Sequence, residues 1–235
     1  MYIFAGRFKG RRLFFPPSQN NRFDRRKSGE KTLRPTTGLV RRALFDILAP
    51  IISDSSFLEL YAGTGAVGLE AVSRGAGKVL LVENNPQTAL YLKQNLELIM
   101  TAAKKEGDEI TEENLKFYPY PAERAIIVLT EKREGFDIVF ADPPYSFSEE
   151  KITELIAKII GTPPLGGGAR GGGILNPNGT LILQHLSGLE KKPLFREGIA
   201  ALSLTAKTRR YGYTSLSFFY PSPYAKNVKN YCFLP

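Results

Sequence analysis

Cysteine is almost missing: Cys232 is the only one in 235 residues. That excludes an internal disulfide and any cysteine-cluster metal centre, and makes a reducing cytoplasm the expected compartment. Histidine is equally scarce, with His185 alone. A histidine proton relay therefore has a single candidate, and its place after an apolar run suits a structural role better. No uninterrupted apolar run approaches the roughly 20 residues that a membrane helix needs. The opening MYIFAGRFKGRR has too short an apolar patch, placed before its charges, to be an export signal. These absences lead us to expect no membrane and no metal; a monomer is expected as well. What remains is ordinary for a globular chain, 43% hydrophobic and 23% charged. Its length suits one domain with an appendage or two small domains.

Acidic residues are also missing from one place. Residues 1–45 hold 12 Lys and Arg against 2 Asp and Glu, whereas the remainder holds 20 against 21. The net charge of +9 is therefore an N-terminal property. A solvated basic tail would account for it. However, the cations alternate with aromatics: Arg7, Phe8, Lys9, Arg11, Arg12, Phe14 and Phe15, then Arg22, Phe23, Arg25, Arg26 and Lys27. Cations neutralise phosphates and aromatic faces stack on unpaired bases, so RNA or DNA is the expected partner.

Residues 2–15 read as one or two short strands around Gly6 and Gly10, and 16–33 as a polar, turn-rich loop. A helix is expected from Gly38 to Leu48, with the apolar stripe Leu39, Ala43, Leu44, Ile47 and Leu48. Strands near 56–61, 78–83, 114–118, 136–141 and 179–184 then alternate with helices near 66–74, 86–104, 121–131 and 149–160. Such alternation implies βαβ units and a mainly parallel sheet covered on both faces. Residues 199–207 and 213–220 read as a closing hairpin. The Gly-rich stretch 163–173 reads as a flexible insertion, and 221–235 as a surface tail. The expected organisation is a basic extension over 1–33, a catalytic domain over 34–220 and the tail.

Three places carry chemistry. In ELYAGTGAVG (59–68), Gly63 and Gly65 turn the chain tightly between a strand and a helix and let a ligand approach the backbone. The pattern completed by Gly68 suits a nucleotide-like ligand. Glu83 ends the next strand, where a carboxylate can accept from both hydroxyls of a ribose; NAD and S-adenosylmethionine fit it equally. The third place is Asp142-Pro143-Pro144-Tyr145, after the fourth strand. The Asp142 carboxylate and the Pro143 carbonyl are pure acceptors, and neither proline has an N–H to donate. Two rigid acceptors side by side fit an exocyclic amine with its two N–H donors, and Tyr145 offers a face on which its base can stack. Such a cage would aim the nitrogen lone pair at an electrophilic methyl, with Asp142 stabilising the charge that develops. Hydride transfer would instead need a second substrate domain and a His or Lys relay.

The segments ELYAGTGAVGLEA, Val82-Glu83 and DPPY, in that order, resemble a class I S-adenosylmethionine-dependent methyltransferase acting on an exocyclic amine. IFAGRFKGRRL (3–13) and RPTTGLVRRALFDIL (34–48) further resemble the RsmD-like family, which methylates N2 of a guanine in small-subunit (16S) ribosomal RNA. The resemblance implies an α/β Rossmann-like fold with a mainly parallel seven-stranded sheet, an antiparallel last strand and a small N-terminal β-hairpin extension. It implies that S-adenosylmethionine lies against Glu59, Gly63, Gly65 and Glu83, beneath Arg34, Thr36 and Thr37. Asp142, Pro143 and Tyr145 would handle the guanine, and Arg7, Lys9, Arg11 and Arg12 would meet ribosomal RNA or a small-subunit assembly intermediate. Three places depart from the family pattern: Tyr120-Pro121-Ala122-Glu123 replaces an Asp-Ala pair, Gly38 replaces an Asp, and Gln184-His185 replaces an acid. The alternatives are an adenine-N6 methyltransferase and a non-catalytic RNA-binding assembly module, with a nicotinamide oxidoreductase further off.

Overall fold

The computed structural model describes residues 1–17, 38–107, 110–161 and 172–221. The basic loop at 18–33, Arg34, Thr36, Thr37, most of the Gly-rich stretch and the tail lie outside the described residues. Seven strands form one sheet: β1 (Ser56–Leu60), β2 (Lys78–Val82), β3 (Leu115–Tyr118), β4 (Phe136–Ala141), β5 (Leu175–Leu186), β6 (Leu204–Tyr211) and β7 (Thr214–Pro221). Their order is β3-β2-β1-β4-β5-β7-β6. The first five run parallel, and β7 is antiparallel to both of its neighbours.

The helices are α1 (Gly38–Leu48), α2 (Ala66–Ser73), α3 (Pro86–Lys105), α4 (Ala122–Glu131), α5 (Glu149–Ile160) and α6 (Pro193–Ala201). Leu44, Val67, Leu92 and Phe140 share one hydrophobic cluster, so α1, α2 and α3 cover one face of the sheet. Ile126, Ile156, Phe195 and Val139 share the other, beneath α4, α5 and α6. Burial on both faces explains why the central strands read as near-continuous apolar runs rather than as alternation.

Four local expectations change. Residues 199–201 belong to α6, not to a strand. Pro193 starts that helix, and Phe195 and Ile199 are buried one turn apart. A short apolar run does not by itself distinguish helix from strand. β5 begins at Leu175, earlier than expected, with a register irregularity against β4 between Phe136 and Ile138. The stripe of α1 is Val40, Leu44, Phe45 and Leu48 together with a buried Arg41, whereas Leu39 is 69% exposed. The N-terminal segment has no full strands, only the antiparallel bridge Tyr2–Arg12. It is nonetheless a closed hairpin, with Gly10 N–H donating to Ile3 O at 2.9 Å and Leu13 N–H to Met1 O at 2.9 Å. Its Ile3, Phe8 and Leu13 are buried in the same cluster as α1 and α2.

Candidate active site at the switch point of the sheet

The strand order reverses between β1 and β4, so the crevice beyond their C-terminal ends is the place where this architecture accepts a ligand. Leu60 and Ala141 are register partners at the ends of those strands, which brings the Tyr61–Gly65 turn and Asp142 side by side. Tyr61 holds φ of 60° although it is not glycine, a strained conformation of the kind that gathers at functional turns. Gly65 caps α2 at φ 79°, and a β-carbon there would sit 2.3 Å from Leu92. Beside Gly63 the nearest atom to such a β-carbon is 4.0 Å away on Thr88, so that wall of the turn is open.

Glu83 braces the turn. Its Oε2 accepts from Gly63 N–H at 2.7 Å and its Oε1 from Asn85 N–H at 2.7 Å. Each oxygen keeps further lone-pair capacity for a hydroxyl donor. Asn85 in turn caps α3 by accepting from Gln87 and Thr88 N–H. Glu59 is buried on β1 and accepts from Gly68 N–H at 2.8 Å, tying the strand to the first turn of α2. Burial pushes its carboxyl up to about 8 despite that bond, and the Asp142 carboxylate adds to the rise.

Asp142 extends from β4 on the same side of the sheet as Glu59, where its Oδ2 accepts from Gln184 Nε2 at 2.8 Å. Burial raises the Asp142 carboxyl to about 7, and the Gln184 bond works against the rise. Pro143 is buried, and Tyr145 is 43% exposed. Phe147 N–H donates to Pro144 O at 2.9 Å, which closes the turn. The Phe147 ring meets Tyr61 edge-on, with centroids 6.0 Å apart. The Tyr61 hydroxyl is buried with no hydrogen-bond partner among the described residues. Burial, with Glu123 of α4 second, raises its pKa. The open wall at Gly63 and the braced Glu83 carboxylate, which keeps acceptor capacity, fit an adenosyl group.

Glu59, Gly63, Gly65, Glu83, Asp142, Pro143 and Tyr145 are thus brought to one end of the sheet. The four N-terminal cations are not. Arg7 N–H donates to Ser73 O at 2.8 Å, which sets the tip of the hairpin at the C-terminal end of α2, away from the glycine turn. Lys9 and Arg12 are exposed, and Arg11 pairs with Glu106 at the end of α3 at 2.7 Å. Phe8 is a core residue with no exposed face. Among the described residues there is no group of three His, Cys, Asp or Glu that could hold a metal, and no helix long and apolar enough to cross a membrane. His185 is buried, with Nε2 2.7 Å from Ser217 Oγ and Nδ1 2.8 Å from Leu186 O, and burial lowers its pKa.

Sequence reasoning noted Gln184 only as a missing acid and did not connect it to Asp142. The signal was its position at the end of the strand beside β4, legible only once β5 is known to be that neighbour. The strain and the orphaned hydroxyl of Tyr61 left no trace in the sequence.

The sheet order, the glycine turn after β1 and the acid that ends β2 make this a class I methyltransferase fold. The chain belongs to the RsmD-like family described as Conserved hypothetical protein 95, whose model matches residues 1–220. It is similar to "Ribosomal RNA small subunit methyltransferase D" of Haemophilus influenzae, 34% identical over 146 residues, which are 62% of this chain and 64% of that one. It is also similar to "Putative rRNA methyltransferase YlbH" of Bacillus subtilis, 26% identical over 219 residues, 93% of this chain and 98% of that one. The chain therefore spans under two thirds of the Haemophilus relative and nearly all of the Bacillus one. Among solved structures it resembles "Putative methyltransferase yhhF" of Escherichia coli with a TM-score of 0.62 at 26% identity, covering 93% of this chain and 96% of that one.

Proposed function

We propose that this chain methylates the exocyclic N2 amine of a guanine in small-subunit ribosomal RNA, with S-adenosylmethionine as the methyl donor. The observation that carries the reading is the placement of the Asp142-Pro143-Pro144-Tyr145 turn directly across the switch point from the Gly63 turn and Glu83. The similarity to proteins named as small-subunit ribosomal RNA methyltransferases supports the choice of substrate.

When bound, S-adenosylmethionine supplies an electrophilic methyl on a sulfonium sulfur. Glu83 accepts from the ribose hydroxyls, the Gly63 turn lets the backbone approach, and Glu59 holds that turn on α2. Asp142 and the Pro143 carbonyl accept the two N–H bonds of the guanine amine, and Tyr145 stacks on its ring. With both N–H bonds held by Asp142 and Pro143, the amine lone pair would be left available to the methyl that the bound donor would supply. Asp142 stabilises the cationic nitrogen and takes its proton. A carboxyl with a pKa near the working pH suits that exchange.

Mass mapping of methylated guanosine in small-subunit RNA, from cells with and without the protein, tests the reading. One N2-methylguanosine should vanish in its absence, return with the wild-type chain and fail to return with Asp142→Ala. Unchanged N2-methylguanosine at every position would sink the reading. Methyl transfer to adenine instead would move the activity to the N6 class.

A further inference from the structure

Beyond the cage, the far edge of the sheet carries features that the catalytic reading does not use. β6 is the edge strand and reads LTAKTRRY, with Lys207, Arg209 and Arg210 and no acid. Because β7 runs antiparallel to β5, Leu186 at the C-terminal end of β5 pairs with Thr214, and Thr214 pairs with Tyr211. The β6–β7 turn therefore lies at the same end of the sheet as Asp142. Lys207 and Arg209 are partnered with Phe218 and Leu216. Both partners belong to the cluster on the α1–α3 face, which Asp142 and Gln184 also occupy.

The turn itself is stiff. Ser187 N–H donates to Tyr213 O at 2.9 Å, Ser187 Oγ to Gly212 O at 3.0 Å, and Arg210 Nε to Gly212 O at 3.0 Å. On it stands Tyr213, 82% exposed, with Leu186 beside it at 47%. Charges on an edge strand have a general use in blocking sheet-to-sheet pairing, and either sign would serve. Two cations on the Asp142 face, next to a rigidly presented aromatic at the ligand end of the sheet, ask for more than that.

We propose that the β6–β7 hairpin is a contact surface for the RNA strand flanking the methylated guanine, resting on the RNA methyltransferase reading above. Tyr213 stacks on an unpaired neighbouring base, while Lys207 and Arg209, on the Asp142 face, neutralise phosphates. Asp142 and this strand are three strand spacings apart, about 14 Å, close enough for one RNA loop to reach both. A base turned out into the cage leaves its neighbours unstacked, and an aromatic platform replaces that lost stacking.

The test uses the full chain, small-subunit ribosomal RNA as substrate and S-adenosylhomocysteine as the cofactor probe. Tyr213→Ala should raise KM for RNA about 10-fold, with kcat and the calorimetric affinity for S-adenosylhomocysteine unchanged. Tyr213→Phe should restore wild-type KM. Lys207→Gln should shallow the slope of log affinity against log salt by about one. If the wild type methylates the RNA and Tyr213→Ala does so with the same KM, the inference is overturned and the catalytic reading stands. If the wild type methylates no ribosomal RNA, both fall together.

Discussion

In its proposed role Asp142 must be ionised to take the proton of the amine, yet its surroundings oppose ionisation. Burial raises its carboxyl to about 7, and Gln184 is the group that restrains the rise. For the free enzyme, kcat/KM should therefore climb as pH rises through about 7. Gln184→Leu should move that limb to higher pH, because the bond favouring the charged form is gone. A limb that stays in place would remove Gln184 from the site. Stability runs the other way. A carboxyl raised in the folded state contributes stability that is complete below its unfolded pKa of about 3.9 and is lost as pH rises through about 7. Asp142→Asn should therefore raise the melting temperature at pH 8 and leave it nearly unchanged at pH 4, while removing activity. The form that works is the less stable form, as expected of a functional group held against its own preference.

At the scale of elements, the N-terminal hairpin is fastened to α2 by side chains that its own sequence does not contain. Glu70 accepts from Phe4 N–H at 2.8 Å and from Ala5 N–H at 3.1 Å. Ser73 Oγ accepts from Phe8 N–H at 2.9 Å and donates to Ala5 O at 2.6 Å. From α1, the buried Arg41 donates to Tyr2 O and stands 3.9 Å from Glu70, with burial lowering its pKa to about 10. The helix so clamped is the one that follows the glycine turn, so the docking of the hairpin also steadies the cradle. Two glycines with nearly the same φ separate docking from turn geometry. At Gly6, φ 80°, a β-carbon would stand 1.7 Å from Ser73 O; at Gly10, φ 85°, it would meet nothing within 4 Å. Gly6→Ala should cost about 2–3 kcal/mol and expose the segment to proteolysis, whereas Gly10→Ala should cost about 1 kcal/mol. Equal losses in urea unfolding would show that turn strain, and not contact with α2, sets the cost.

For the whole molecule, the charge of +9 makes association with RNA a salt-dependent event. In filter binding, log affinity should fall linearly with log salt, by about 0.7–0.9 for each phosphate neutralised. A flat dependence would leave the basic surplus without a nucleic-acid role. In the proposed RNA complex the contacting cations need not all be those nearest the N-terminus, because the fold carries Arg7 to the C-terminal end of α2 and the β6–β7 turn to the ligand end of the sheet.

Local residue pattern is enough to read the parallel sheet, the helices α1 to α5 that cover it and the two turns that meet at the switch point. Apolar runs of strand length, glycines at 63 and 65, and Asp142 with its two prolines are local signals whose meaning depends on neighbours in the chain. Packing between distant segments sets the rest: Gln184 restrains Asp142, Phe8 belongs to the core, Arg41 is buried against Glu70, and the β6–β7 turn stands at the same end of the sheet as Asp142. Each of these depends on which strand or helix lies alongside. That is set by long-range packing, to which the pattern within any one segment is blind.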